Sequence, residues 1–128
     1  MELFQGLAHI AIQVKDIRRS IAFYEKLGGK LLDRGEPRPG VFLALVDIGG
    51  VTLELIQSTA EPKRPDAIDH FALAVSDVDA AMASLRAAGV DSFEAPEKTV
   101  MPDLFGGMDN CFFYGPDGER IELLWMHH

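Results

Sequence analysis

Two stretches decide how this chain is read: LAHIAIQVKDIRRSIAFYEKLGG, Leu7–Gly29, and IDHFALAVSDVDAAMASLRAAGV, Ile68–Val90. Superposed on His9 and His70, at an offset of 61, they share Ala11/Ala72, Val14/Val75, Asp16/Asp77, Ala22/Ala83 and Gly28/Gly89. Apolar residues also coincide at Ile17/Val78, Ile21/Met82 and Tyr24/Leu85. Self-similarity of this kind marks a repeated supersecondary unit. In each copy a strand with period-2 alternation runs into an aspartate, then a helix, then a glycine. Asp16 and Asp77 suit the N-cap, where a carboxylate accepts from the unsatisfied N–H groups of the first turn. Positions 17, 21, 24 and 78, 82, 85 fall on one helical face. Gly28 and Gly89 suit the left-handed residue that ends a helix.

After each helix come three strand-like runs. The first copy offers KLLDR, VFLALVD and VTLELIQ; the second offers DSFEA, NCFFYG and ERIELLW. Gly49-Gly50 and Pro116-Asp117-Gly118 read as the hairpin turns before the last strand of each copy. The Pro- and charge-rich segment Ser58–Ala67 reads as a linker. The fold class is therefore α+β: two βαβββ modules, about 5–57 and 68–126, joined by the linker 58–67 within one domain, 1–128. A module of roughly 60 residues buries little surface alone. Two modules must share a core, within one chain or across a dimer.

Strand alternation separates two faces. Ile10, Ile12 and Val14 belong under the first helix, and Phe71, Leu73 and Val75 under the second. His9, Ala11 and Gln13 then share the opposite face, as do His70, Ala72 and Ala74. A lone histidine on an apolar strand is ordinarily a satisfied core or edge residue, but here the histidine recurs beside small neighbours. The last strand of each copy carries a matching carboxylate. Glu54 interrupts Leu53 and Leu55, and Glu122 interrupts Ile121 and Leu123. Read singly, each Glu faces water on a half-exposed sheet. Read together, His9, Glu54, His70 and Glu122 form a symmetric set. Two carboxylates converging on a sheet-lined cavity are costly unless a cation compensates them. Two neutral imidazoles and two carboxylates suit a divalent metal.

Composition narrows the partners. The net charge of −8 makes nucleic acid and anionic membrane surfaces poor partners. No apolar run reaches the length of a membrane span, and the N-terminus lacks the pattern of a secretory signal. The expectation is a cytoplasmic protein acting on a small molecule. The single cysteine, Cys111, reads as a buried inert thiol rather than a nucleophile. The terminal Met126-His127-His128 is given no role.

The stretches LAHIAIQVKDIRRSIAFYEKLGGKLL, VTLEL, IDHFALAVSDVDAA and YGPDGERIELL resemble the vicinal oxygen chelate superfamily, and within it the single-domain glyoxalase I (lactoylglutathione lyase) type. The resemblance covers nearly the whole chain. It implies paired βαβββ modules forming an incomplete mixed-sheet barrel around a metal, commonly in a homodimer. The family's ligand positions fall on His9, Glu54, His70 and Glu122. A complete His/Glu/His/Glu set resembles glyoxalase I more than its relatives. Methylmalonyl-CoA epimerases usually carry Gln at the position of Glu54, fosfomycin-modifying transferases and extradiol dioxygenases use three ligands, and bleomycin-sequestering proteins usually have none. Two positions depart from the glyoxalase pattern. Gln13 stands where an Arg helps to hold glutathione, and Ser58 stands where an Asn is usual.

The implied activity is that of a metal-dependent lyase or isomerase. A proton moves between adjacent carbons through a metal-bound enediolate, on a hemithioacetal or a similar 2-hydroxycarbonyl. Glu122 is the favoured base, with Glu54 as ligand and second candidate. Six-coordination points to Ni²⁺, Co²⁺ or Mn²⁺, with Zn²⁺ also compatible. The alternatives are an epimerase or isomerase of another hydroxycarbonyl or acyl-thioester, and a ligand-sequestering resistance protein. The apolar segment TVMPDLFGGMDN, Thr99–Asn110, reads either as a lid or pocket wall, with Gly106-Gly107 as a hinge, or as a surface loop packed on a partner subunit.

Overall fold

The computed structural model describes residues 2–26, 28–59, 68–114, 118 and 120–128. The elements are β1 (Phe4–Gln13), α1 (Ile17–Lys26), β2 (Lys30–Arg38), β3 (Val41–Ile48), β4 (Val51–Ser58), β5 (Ile68–Val75), α2 (Val78–Ala87), β6 (Thr99–Met101), a 3₁₀ turn (Leu104–Gly106), β7 (Met108–Tyr114) and β8 (Arg120–Met126). The order βαβββ thus occurs twice, and the α+β class read from the repeat holds. By compactness the chain divides into one unit of His9–Asp69 and another of Met1–Ala8 with His70–His128. The division falls inside β1, between Ala8 and His9.

In the unit His9–Asp69 the strand order is β2-β3-β4-β1. β4 runs parallel to β1 and antiparallel to β3. Val14, Ile17, Ile21, Ala44, Val46 and Leu55 form its buried core, with Ile12 and Tyr24 packed against it. The helix start is held twice. Asp16 Oδ1 accepts from Arg19 N at 3.1 Å, and Gln57 Oε1 accepts from Ile17 N at 2.7 Å. These bonds satisfy N–H groups that have no partner inside the helix.

The unit containing His70–His128 repeats the plan as β5-β8-β7-β6, with β8 parallel to β5 and antiparallel to β7. Its core is Val75, Val78, Ala81, Met82, Cys111, Phe113 and Leu123. Asp77 Oδ1 caps α2 by accepting from Ala80 N at 3.0 Å. Both helices stop at a residue with positive φ, Gly28 at 89° and Gly89 at 90°. A side chain there would be strained, so glycine ends the helix where the repeat places it.

Several boundaries differ from the sequence reading. β2 continues past Arg34 to Arg38, because it pairs along β3 despite interruptions of register. Ser58 belongs to β4, opposite Val41, rather than to the linker. Thr59 N donates to Gly40 O at 2.9 Å, and the rest of the linker, 60–67, and the turn residues Pro116 and Asp117 lie outside the described residues. DSFEA is not a strand. It contributes one bridge, Phe93 to Phe113, and the paired strand begins at Thr99. Pro96 in the intervening stretch offers no N–H to a ladder.

Nor is 99–109 one long loop. It comprises β6, the 3₁₀ turn and the start of β7. Phe105 adopts φ 51° and is buried, as is Met108. Gly107 N donates to Leu104 O at 2.8 Å, and Gly107 O accepts from His127 N at 2.9 Å. The segment is thus tied by a backbone hydrogen bond to the residues after β8, and two of the apolar side chains that suggested a lid, Phe105 and Met108, are buried.

Candidate functional site

The parallel strand pairs position the four candidate residues by a common rule. On β1 and β4, Ala11 lies across from Glu54. On β5 and β8, Ala72 lies across from Glu122. Both alanines have no exposed surface. A methyl group beside each carboxylate leaves room for the histidine two residues earlier on the same strand face. His9 Nε2 lies 3.4 Å from Glu54 Oε1, and His70 Nε2 lies 3.0 Å from Glu122 Oε1. The structure thus brings His9 to Glu54 in one unit and His70 to Glu122 in the other. All four residues are at least 94% buried, with exposures of 3%, 6%, 5% and 4% in chain order.

Two carboxylates so deeply buried need partners. In each pair an imidazole nitrogen faces a carboxylate oxygen, within hydrogen-bond distance at His70–Glu122 and slightly farther apart at His9–Glu54. A divalent cation compensates buried carboxylates beside imidazole nitrogens, so the ligand set fits a metal of the imidazole- and carboxylate-binding kind.

The second pair has further support that sequence reading missed. Asn110 Nδ2 donates to Glu122 Oε2 at 2.9 Å, and Asn110 is itself buried. Phe112 meets the His70 ring edge to face, with centroids 5.1 Å apart. The Arg120 guanidinium lies over the Phe112 ring, 3.7 Å from its centroid. Glu94 fixes that guanidinium through both Nε and Nη2, at 2.7 and 3.0 Å. The signal available in sequence was Asn110 alternating with Phe112 along β7, on the face that pairs with Glu122. Without the register, that alternation does not reveal a contact.

The two positions that depart from the glyoxalase pattern are also described. Gln13 Nε2 donates to Asp69 Oδ1 at 2.7 Å. Because a carboxylate only accepts, this bond orients the amide, and Oε1 is buried with no hydrogen-bond partner among the described residues. Ser58 ends β4. A cleft of about 590 Å³ in the unit His9–Asp69 is lined by Lys15, Arg18, Arg34 and Gln57 among others, and by neither His9 nor Glu54.

On the helix-facing side of β7 lies a second polar cluster. Asp109 is buried and accepts from Lys98 Nζ at 2.9 Å, and its other oxygen lies 2.8 Å from His127 Nε2. Burial pushes its carboxyl upward, but the bonds from Lys98 and His127 outweigh that and hold it below the usual carboxylate value. Lys98, bonded to both Asp109 and Asp79, is raised above the ordinary lysine range. The histidine near the C-terminus therefore has a structural partner. Cys111 is buried, and its thiol is pushed up to about 11, chiefly by burial. That fits the inert thiol expected from the sequence.

Comparison with known proteins gives this geometry a context. Residues 6–123 match the model of the Glyoxalase/Bleomycin resistance protein/Dioxygenase superfamily. The chain belongs to that superfamily, the vicinal oxygen chelate proteins. It is 36% identical over 121 residues to the uncharacterized protein YwbC of Bacillus subtilis (strain 168), covering 90% of this chain and 93% of the relative. It is 30% identical over 129 residues to YwkD of the same organism, also uncharacterized, covering 94% of this chain and 97% of that one. Among solved structures, the methylmalonyl-CoA epimerase from Mycobacterium tuberculosis is similar at a TM-score of 0.84 and 25% identity. That match covers 100% of this chain and 92% of the epimerase chain. No helix among the described residues is long and apolar enough to cross a membrane.

Proposed function

We propose that the chain is a divalent-metal-dependent isomerase or lyase of the glyoxalase I type, moving a proton between adjacent carbons of a hemithioacetal or similar 2-hydroxycarbonyl. The observation that carries this reading is the repeated His–Glu pair, built in both units by one register rule. His9, Glu54, His70 and Glu122 would together hold one ion, as Ni²⁺, Co²⁺, Mn²⁺ or Zn²⁺. When bound, the ion supplies Lewis-acid polarisation of the substrate oxygens.

The chain's own residues do the rest. His9 and His70 act as neutral donors. Glu122 takes the C–H proton on one carboxylate oxygen and returns it to the neighbouring carbon, a contribution of about 10²–10⁴-fold for a placed general base. Asn110 holds the other oxygen of Glu122, and Glu54 is the second carboxylate able to serve as base. Burial keeps competing water from these groups. A small-molecule substrate, a homodimer and a cytoplasmic setting are parts of the same proposal.

A second reading has a specific observation in its favour. Gln13, bonded to Asp69, supplies no cation for a glutathione carboxylate, and Ser58 no amide. Together with the likeness to an epimerase, this supports proton transfer on an acyl-thioester instead. Both readings share the abstraction of a proton beside a carbonyl. The test is metal content of the purified protein, followed by turnover of the methylglyoxal–glutathione hemithioacetal and of methylmalonyl-CoA. Isomerisation of the first supports the glyoxalase type, and epimerisation of the second supports the alternative. Metal-free protein that turns over neither, yet binds an apolar drug tightly, overturns both in favour of sequestration.

A further inference from the structure

The two modules share one register around their carboxylates but differ in the two side chains that the neighbouring strand places there. In the first, Leu45 lies opposite Glu54 and Leu43 opposite Ile56, two residues on. In the second, Phe112 lies opposite Glu122 and Asn110 opposite Leu124, again two residues on. Asn110 is therefore the structural counterpart of Leu43. Both are buried, at 6% and 8% exposure, one polar and one apolar. Only the asparagine brings a donor to its carboxylate, from Nδ2 to Glu122 Oε2 at 2.9 Å. Glu122 Oε1 faces His70 at 3.0 Å. Its two oxygens thus have different neighbours on different strands.

We infer that Asn110 is a positioning residue for Glu122, fixing the rotamer from which that carboxylate meets both the ion and the substrate. The inference rests on the metal-dependent reading and deepens it. A buried amide donor adds a restraint on the second oxygen of a carboxylate whose first oxygen faces His70, and such supports typically change metal affinity or activity about 10–100-fold when removed. The adjoining perpendicular contact of Phe112 with the His70 ring makes β7 the strand that touches both ligands of this module. The first module has leucine at both corresponding positions.

The deciding variant is Asn110→Leu, which copies the first module's own solution and so preserves burial. Its dissociation constant for Ni²⁺ or Co²⁺ is measured by competition with a chromophoric chelator, beside thermal unfolding of the metal-free protein. Weakening of about 10-fold or more with unchanged unfolding is the expected result. Affinity within about twofold of the parent overturns the inference. If Asn110→Leu does not fold, Asn110→Ser removes the amide without added bulk and is read the same way. If the parent itself binds no metal, the proposed function falls, and a crystal structure of Asn110→Leu decides this inference separately. Displacement of Glu122 from His70 supports positioning by Asn110, whereas an unchanged contact refutes it.

Discussion

Ala72 lies directly across from Glu122 on the parallel strands β5 and β8, and has no exposed surface. The alanine is what allows a carboxylate and the His70 imidazole to share one sheet face. Replacing it with leucine puts three more carbons where Glu122 now sits. The expected outcome for Ala72→Leu is destabilisation of about 1–3 kcal/mol from overpacking, with loss of metal binding. Ala72→Ser keeps the space and should retain both. Denaturant titration and metal analysis of the two variants check this.

The candidate ligands separate from the base by what each variant loses. His9→Ala combined with His70→Ala should abolish stoichiometric metal. Glu122→Gln removes a ligand carboxylate as well as the base, so it is assayed at saturating metal, where it should still slow turnover about 10²–10⁴-fold, the usual contribution of a general base. Unchanged turnover would move the base to Glu54, where Glu54→Gln should then show the loss.

Asp109 makes stability depend on pH in a defined direction. Its folded carboxyl is held below the usual value by Lys98 and His127 against the effect of burial. The contribution is therefore complete above the unfolded value of about 3.9 and is lost as pH falls through the folded one. Melting temperatures should fall steeply below about pH 4 for the parent. Asp109→Asn should lower stability at pH 7 by about 1–3 kcal/mol, in the range of hydrogen bonds to charged groups. It should also flatten the acid limb. An acid limb as steep in this variant as in the parent would assign the pH dependence elsewhere.

Cys111 offers a simple probe of the core. With its thiol buried and pushed up to about 11, very little thiolate exists at neutral pH. Iodoacetamide at pH 8 should leave native protein unlabelled and modify it fully after unfolding. Rapid labelling of the native protein would contradict the packing of β7 on α2.

Much of the molecule was legible in its repeat. The helix caps at Asp16 and Asp77 and the stops at Gly28 and Gly89 depend on local backbone chemistry, which neighbouring residues fix. The core faces of α1 and α2 follow from helical spacing, and His9 and His70 from strand alternation. Thr99–Asn110 was not legible, because its apolar residues suit a lid, a loop or a strand equally until the surrounding packing is known. Phe105 is buried in a left-handed backbone conformation that no propensity favours for phenylalanine. Asp109 was passed over because its partners, Lys98 and His127, lie on either side of it in sequence and meet it only when β7 is flanked by the 98 segment and the C-terminal residues.

The sequence alone determined the two βαβββ modules, their amphipathic helices and the placing of His9, Glu54, His70 and Glu122 on matching strand faces, since periodicity and capping are local properties. Tertiary structure decided which residues stand beside those four. Strand register sets Ala11 against Glu54, Ala72 against Glu122, and Asn110 within reach of the second carboxylate but Leu43 beside the first. Register arises from the combined packing of neighbouring strands, and no single strand encodes it.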